Sequence, residues 1–248
     1  MRFVLVAFRL FLRLCLLLSA YFAYFAQLPA LVFGRKKFAA RMLSVCSRQL
    51  LRSLGINVCI RSDFNWYKTS NGLVHIYNHE NPLDVFIIQG YLNLPSITTA
   101  GSHLGKVFPF FDRCVRNAGH ILLDHMDPAS RRSSFSRSFE TMEAYGQMII
   151  APNGSLVTSI YQRASRSPQV LARKFSTLIA PWIFSYGDLR MSRQDLYSPV
   201  LILLKRLAAP VATITCSLME EDLQAIPVGL SKELFEPAVI SFYSLRKE

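Results

Sequence analysis

A histidine and an aspartate five residues apart, His79 and Asp84, stand in the segment Leu73-Val-His-Ile-Tyr-Asn-His-Glu-Asn-Pro-Leu-Asp84. Their types suit general-base chemistry. A carboxylate that accepts a hydrogen bond from one imidazole nitrogen leaves the other nitrogen able to take a proton from a hydroxyl. In such a dyad the nucleophile is the substrate's own alcohol. The competing reading makes Asp84 a favourable charge at a helix N-terminus and His79 a satisfied turn residue, and spacing alone does not separate the two.

Positioning this pair needs a strand that ends near Asn78 and a helix that starts soon after. Leu73–Tyr77 reads as the strand. Asn81 followed by Pro82 reads as a helix start, with Asn as N-cap and Pro at the first helical position. His79 then falls in the turn and Asp84 in the first helical turn. Short apolar runs at Ile56–Ile60, Ile121–Leu123, Met148–Ala151 and Leu178–Phe184 predict further strands. Pro82–Leu92, Val107–Asn117 and Ser130–Tyr145 predict helices, so the domain is α/β with a largely buried central sheet. Residues 155–173, rich in Ser, Arg and Gln, predict a surface excursion.

The first 34 residues are of another kind. No charged residue occurs from Leu14 to Phe33, about the length one helix needs to cross a hydrocarbon core of roughly 30 Å. Arg9 and Arg13, four apart, predict an amphipathic lead-in that lies in the interface. They also interrupt the apolar run as no cleaved signal peptide would, and no small-x-small site follows. Residues 1–34 are therefore read as a membrane anchor and 35–248 as the catalytic domain. Over Phe38–Leu54 the residues Met42, Leu43, Cys46, Leu50 and Leu54 share one helical face, with Arg41, Arg48 and Arg52 elsewhere and Gly55 as a stop. That helix either rests on headgroups or packs on the core with a solvated basic face.

The whole chain is 51% hydrophobic with a formal charge of +12, and its pI is near 9.8. Such a charge calls for an anionic partner, and its concentration beside the apolar segment (Arg35, Lys36, Lys37, Arg41) favours a membrane surface over nucleic acid. No zinc-finger or RNA-recognition motif is present. The five cysteines are scattered and odd in number, consistent with a reducing compartment. His75, His79 and Glu80 do not form the zinc-protease helix motif, because the glutamate is misplaced and Leu73–Tyr77 is strand-like, so no metal is expected. No GxSxG elbow occurs, and Cys114 reads as packing.

The surroundings of the pair resemble the glycerolipid acyltransferase family, whose best-known members acylate lysophosphatidic acid. The family's first motif, Asn-His-x-x-x-x-Asp after a strand, is matched by Asn78-His79-Glu80-Asn81-Pro82-Leu83-Asp84. Lys106-Val-Phe-Pro-Phe-Phe resembles its basic-apolar run, and Gly119-His-Ile-Leu-Leu-Asp-His125 its second motif. Ile149-Ile-Ala-Pro-Asn-Gly154 resembles the third, and Ile179-Ala-Pro181-Trp-Ile the fourth. Two positions depart from the pattern. His125 stands where an Arg is usual, and Pro152-Asn153-Gly154-Ser155-Leu156 stands where the family reads Pro-Glu-Gly-Thr-Arg. Neither His nor Leu reproduces the bidentate fork that Arg offers a phosphate.

The resemblance implies a central mixed sheet flanked by helices, carrying a catalytic His79 and Asp84. It implies that Asn78, Lys106, Gly119, His125, Pro152, Asn153 and Gly154 line the substrate. It further implies an O-acyltransferase whose donor is acyl-CoA or acyl carrier protein, with no cofactor, acting on a lysophospholipid or, given the departures, on another lyso-lipid. Arg113, Arg116, Arg131, Arg132 and Arg163 are the candidates to replace the missing charge. The catalytic domain is expected to face the cytoplasm from the inner membrane, where thioester donors are made. A non-catalytic relative that binds lipid is the alternative.

Overall fold

The computed structural model describes residues 2–27, 29, 33, 35–66, 72–98, 111–123, 127–153, 164–187, 189, 206 and 209–246. Helix α1 is Arg2–Ala26 and α2 is Lys36–Ser53. The expected boundary between an interfacial lead-in and a separate span is not observed. Arg2–Ala26 contains neither Gly nor Pro, so nothing interrupts the helix, and Pro29 follows its end. Arg13 lies mid-helix yet is only 4% exposed: its guanidinium sits against Gly55 and donates to the Arg206 carbonyl at 2.8 Å.

One side of α1 (Ala20, Ala23, Tyr24) is buried in the same apolar cluster as Leu43, Cys46 and Leu50 of α2. Its opposite side exposes Phe8, Phe11, Leu18 and Phe22. The face that α2 was expected to bury is largely buried, and its arginines are exposed. Gly55, at φ +68°, ends it in a conformation that glycine adopts at least cost.

Strand β1 (Ile56–Ser62) leads through β2 (Leu73–Tyr77) to α3 (Asp84–Ile87). Helix α3 continues as a single π-turn, Ile88–Leu92, that ends at left-handed Asn93. Then come β3 (Ile97–Thr98), α4 (Phe111–Asn117), β4 (Ile121–Leu122), α5 (Pro128–Tyr145) and β5 (Gln147–Ile150). After them follow α6 (Ser167–Lys174), β6 (Leu178–Ser185), β7 (Ala212–Leu218) and α7 (Lys232–Leu245). The predicted strands are present within a residue or two. Of the helix predicted over 107–117, the part at 107–110 lies outside the described residues.

The sheet runs β1-β7-β6-β2-β5 and is mixed: neighbours are parallel except β6 and β7. Strand β2 is central and buried on both faces. Val74 and Ile76 join one apolar cluster with Met142, Leu171, Phe235 and Val239, while Leu73 and Tyr77 join the other with Leu50 and Ile87. The surface excursion predicted over 155–173 is corrected where it is described. Residues 167–174 form α6, which buries Pro168, Gln169, Leu171 and Ala172. Gln169 reads as polar in sequence, but its amide donates to the carbonyls of Val228 and Leu230.

Candidate active site

Parallel strands β2 and β6 end at the same sheet edge, with Tyr77 opposite Trp182. Each chain turns away there, so polar side chains from both turns gather at one place. Beyond β2, Asn81 accepts the Leu83 amide on its side chain at 3.0 Å, and the Asp84 amide donates to the Asn81 carbonyl at 3.1 Å. The predicted helix start, with Asn81 as N-cap and Pro82 in the first helical position, is corrected: these Asn81 bonds close a turn over Pro82 and Leu83, and the helix begins at Asp84 with Leu83 as its N-cap.

The turn brings the imidazole of His79 onto the carboxylate of Asp84, with Nδ1 2.8 Å from Oδ2. Asp84 is completely buried, whereas 15% of the His79 side chain remains exposed. The carboxylate is thus shielded from water behind an imidazole that still faces outward. The Asn81 amide donates to the same Oδ2 at 3.3 Å, and the hydroxyl of Tyr186 donates to Oδ1 at 2.7 Å. Burial pushes the Asp84 carboxyl up, and the hydrogen bonds from His79, Tyr186 and Asn81 oppose that push. With the carboxylate ionised, Nδ1 carries the proton and Nε2 is left as the acceptor.

Neighbouring residues brace the turn. Asn78 exchanges two hydrogen bonds with the backbone of Phe184, accepting at 2.7 Å and donating at 2.9 Å, so its amide stitches β2 to β6. Asn153 donates to the His79 carbonyl at 3.0 Å, and Pro152 beside it is buried. His75 is fully engaged behind the site: Nδ1 accepts from the Trp182 indole at 2.9 Å, and Nε2 lies 3.1 Å from Gln147 Oε1.

Of the residues singled out in sequence, the structure brings together His79, Asp84, Asn78 and Asn153. Gly119 is instead in the turn between α4 and β4. Its φ of +89° and the Tyr145 hydroxyl, 2.7 Å from where a Cβ would stand, account for glycine there. Lys106, His125, Gly154 and Arg163 lie outside the described residues. Arg113 and Arg116 are exposed on α4, and Arg131 and Arg132 on α5. The residue that sequence reading missed is Tyr186. Its signal was available: a polar residue just past a strand that ends beside β2 belongs to the same edge.

A family model described as Acyltransferase matches residues 57–185, just over half of the 248 residues, and includes the whole His79–Asp84 turn. The chain belongs to the acyltransferase family. Among solved structures, it is similar to the 1-acyl-sn-glycerophosphate (LPA) acyltransferase PlsC from Thermotoga maritima, with a TM-score of 0.58 and 13% identity over 99% of this chain and 95% of that one. At that identity the likeness is one of fold. Comparison with curated proteins gives no match. Within the matched segment this acyltransferase holds an outward-facing imidazole in front of a buried carboxylate. The family match ends one residue short of Tyr186.

Proposed function

We propose that this protein transfers a fatty acyl group from a thioester, acyl-CoA or acyl carrier protein, to a hydroxyl of a lysophospholipid or related lyso-lipid. The observation that carries the reading is the 2.8 Å contact between His79 Nδ1 and buried Asp84 Oδ2 within the family's matched segment. In the reaction, His79 Nε2 takes the proton of the acceptor hydroxyl as its oxygen attacks the thioester carbonyl. The tetrahedral intermediate then expels the thiolate, which takes that proton back from Nε2. Asp84 accepts from Nδ1–H throughout, holding the tautomer and stabilising the imidazolium. The ester and the free thiol leave, and the imidazole is neutral again.

The same reading places the protein at a membrane. Among the described residues α1 is the one helix long and apolar enough to cross a bilayer, over Ala7–Ala26. Its packed side belongs to the domain, so the lipid side is the face of Phe8, Phe11, Leu18 and Phe22. On α2 the exposed cations Lys37, Arg41, Arg48 and Arg52 follow one another at helical spacing, and the first acidic residue of the chain is Asp63. Such a row suits anionic headgroups. The domain is read as facing the cytoplasm, where thioester donors are made. The acceptor is left open by His125 and Leu156, which stand where the resembled family carries arginine.

The test is thioester release by detergent-purified protein, wild type beside His79→Ala. Each is offered acyl-CoA or acyl carrier protein with phosphorylated and phosphate-free lyso-lipids. Histidine-dependent release with one acceptor class supports the reading and names the substrate. Equal background release from both proteins, with vesicle binding retained, would return the chain to a lipid-binding relative without turnover.

A further inference from the structure

We propose that Tyr186 is a positioning residue for acyl transfer: its hydroxyl holds Asp84 as an ionised acceptor, so that His79 offers Nε2 to the substrate hydroxyl. This rests on the dyad reading and extends it by one residue. Asp84 is completely buried, and its ion-pair partner among the described residues is His79, with no lysine or arginine beside it. Among the described residues, the groups that meet its charge are hydrogen-bond donors. Two of them, His79 Nδ1 and the Asn81 amide, meet Oδ2; the Tyr186 hydroxyl meets Oδ1. The same hydroxyl lies 3.3 Å from the Asn78 carbonyl, but its single proton serves the nearer, charged oxygen.

A buried carboxylate that loses a hydrogen bond to its charged form shifts towards the neutral acid. Here that shift changes the chemistry as well as the charge. Protonated Asp84 donates to His79 Nδ1, which sends the imidazole proton to Nε2 and removes the base from the side that faces substrate. Ionised Asp84 accepts from Nδ1–H and leaves the Nε2 lone pair free. The Tyr186 bond selects the second arrangement.

The titratable groups facing Asp84 are Tyr77 of β2, His79 of the turn after it, Tyr186 beyond β6 and Cys216 of β7. Burial, with the charge of Asp84 adding to it, pushes both phenols and the thiol up. These three stay neutral near pH 7, so none of them adds a charge beside Asp84.

The experiment follows thioester release against pH for the full chain in detergent. Wild type is compared with Tyr186→Phe and with protein carrying 3,5-difluorotyrosine at position 186, using His79→Ala as the blank. Removing the hydroxyl is expected to lower kcat at pH 7 by roughly tenfold, with both KM values within about twofold of wild type. The acid limb of the profile moves up by about one to two pH units, and the rate recovers towards wild type at alkaline pH. The fluorinated phenol, a stronger donor of nearly the same shape, moves the acid limb the other way. Coincident acid limbs in all folded proteins, with His79→Ala inactive, overturn the role of Tyr186 and leave the dyad standing. An active His79→Ala overturns the dyad and this inference together. Should Tyr186→Phe fail to fold, the direction of the fluorotyrosine shift decides alone.

Discussion

The side-chain amide of Asn153 donates to the backbone carbonyl of His79 at 3.0 Å, joining two turns 74 residues apart in sequence. Strand β5 lies beside β2 in parallel, so the chain leaving each strand meets at one edge. The position where the resembled family carries glutamate thus supports the His79 turn through a backbone bond. Asn153→Ala is expected to lower kcat by roughly tenfold and to cost about 1–3 kcal/mol of stability, because the His79 carbonyl loses its partner. Steady-state thioester release and thermal unfolding measure the two effects. An unchanged kcat would show that the turn holds its shape without this bond.

Asp84→Asn separates activity from stability. Burial raises the Asp84 carboxyl, so the folded protein binds a proton there more readily than the unfolded chain. The cost of the buried charge is present above the folded pKa and is relieved as pH falls through it. The variant is expected to lose about 10²–10⁴-fold in rate. Its Tm at pH 8 should equal or exceed that of wild type, with the difference shrinking towards acid pH. Calorimetry across that range reads the sign; a gap that widens on acidification contradicts it.

His75 sets an opposite dependence. Burial lowers it from 6.5 to about 4, with the Gln147 hydrogen bond pulling the other way. Between those values the unfolded chain binds more protons, so stability is lost as pH falls from about 6.5 towards 4, by up to about 3 kcal/mol. His120, whose Nδ1 accepts from the Ser96 amide, is likewise lowered to about 4 by burial and adds to the loss. Wild-type Tm should therefore fall between pH 7 and 4.5. His75→Gln keeps a polar side chain but cannot titrate, and its Tm should fall less steeply over the same interval.

Two glycines with the same φ of +68° should respond unequally to alanine. A Cβ on Gly55 meets the flexible end of Arg13, whereas a Cβ on Gly72 meets the backbone carbonyl of Gly146. Both substitutions carry the left-handed penalty, about 1–2 kcal/mol. Gly72→Ala should lose clearly more, because β2 and β5 must separate to accept it. Chemical denaturation of the two variants orders them.

The sequence by itself determined what is local. Four residues separate His79 from Asp84, and Asn81 and Pro82 among them form the turn that lets the side chains meet. Strand β2 matches its apolar run from Leu73 to Tyr77 because a central strand buried on both faces must be apolar almost throughout. The buried face of α2 and the stop at Gly55 were legible for the same reason: each depends on neighbours within a few positions. Tertiary structure decided the rest. Tyr186 reaches Asp84 across 102 residues only because β6 lies beside β2, and hydropathy does not encode strand order. Antiparallel β7 and helix α7 are defined by their tertiary partners, and α6 reads as surface in sequence because Gln169 finds its carbonyl partners far along the chain. Arg13, a charge that should have faced water or headgroups, is buried against the glycine that ends α2. Each of these depends on a partner brought close by folding, and a partner's chemistry can reverse what a side chain's polarity alone would predict.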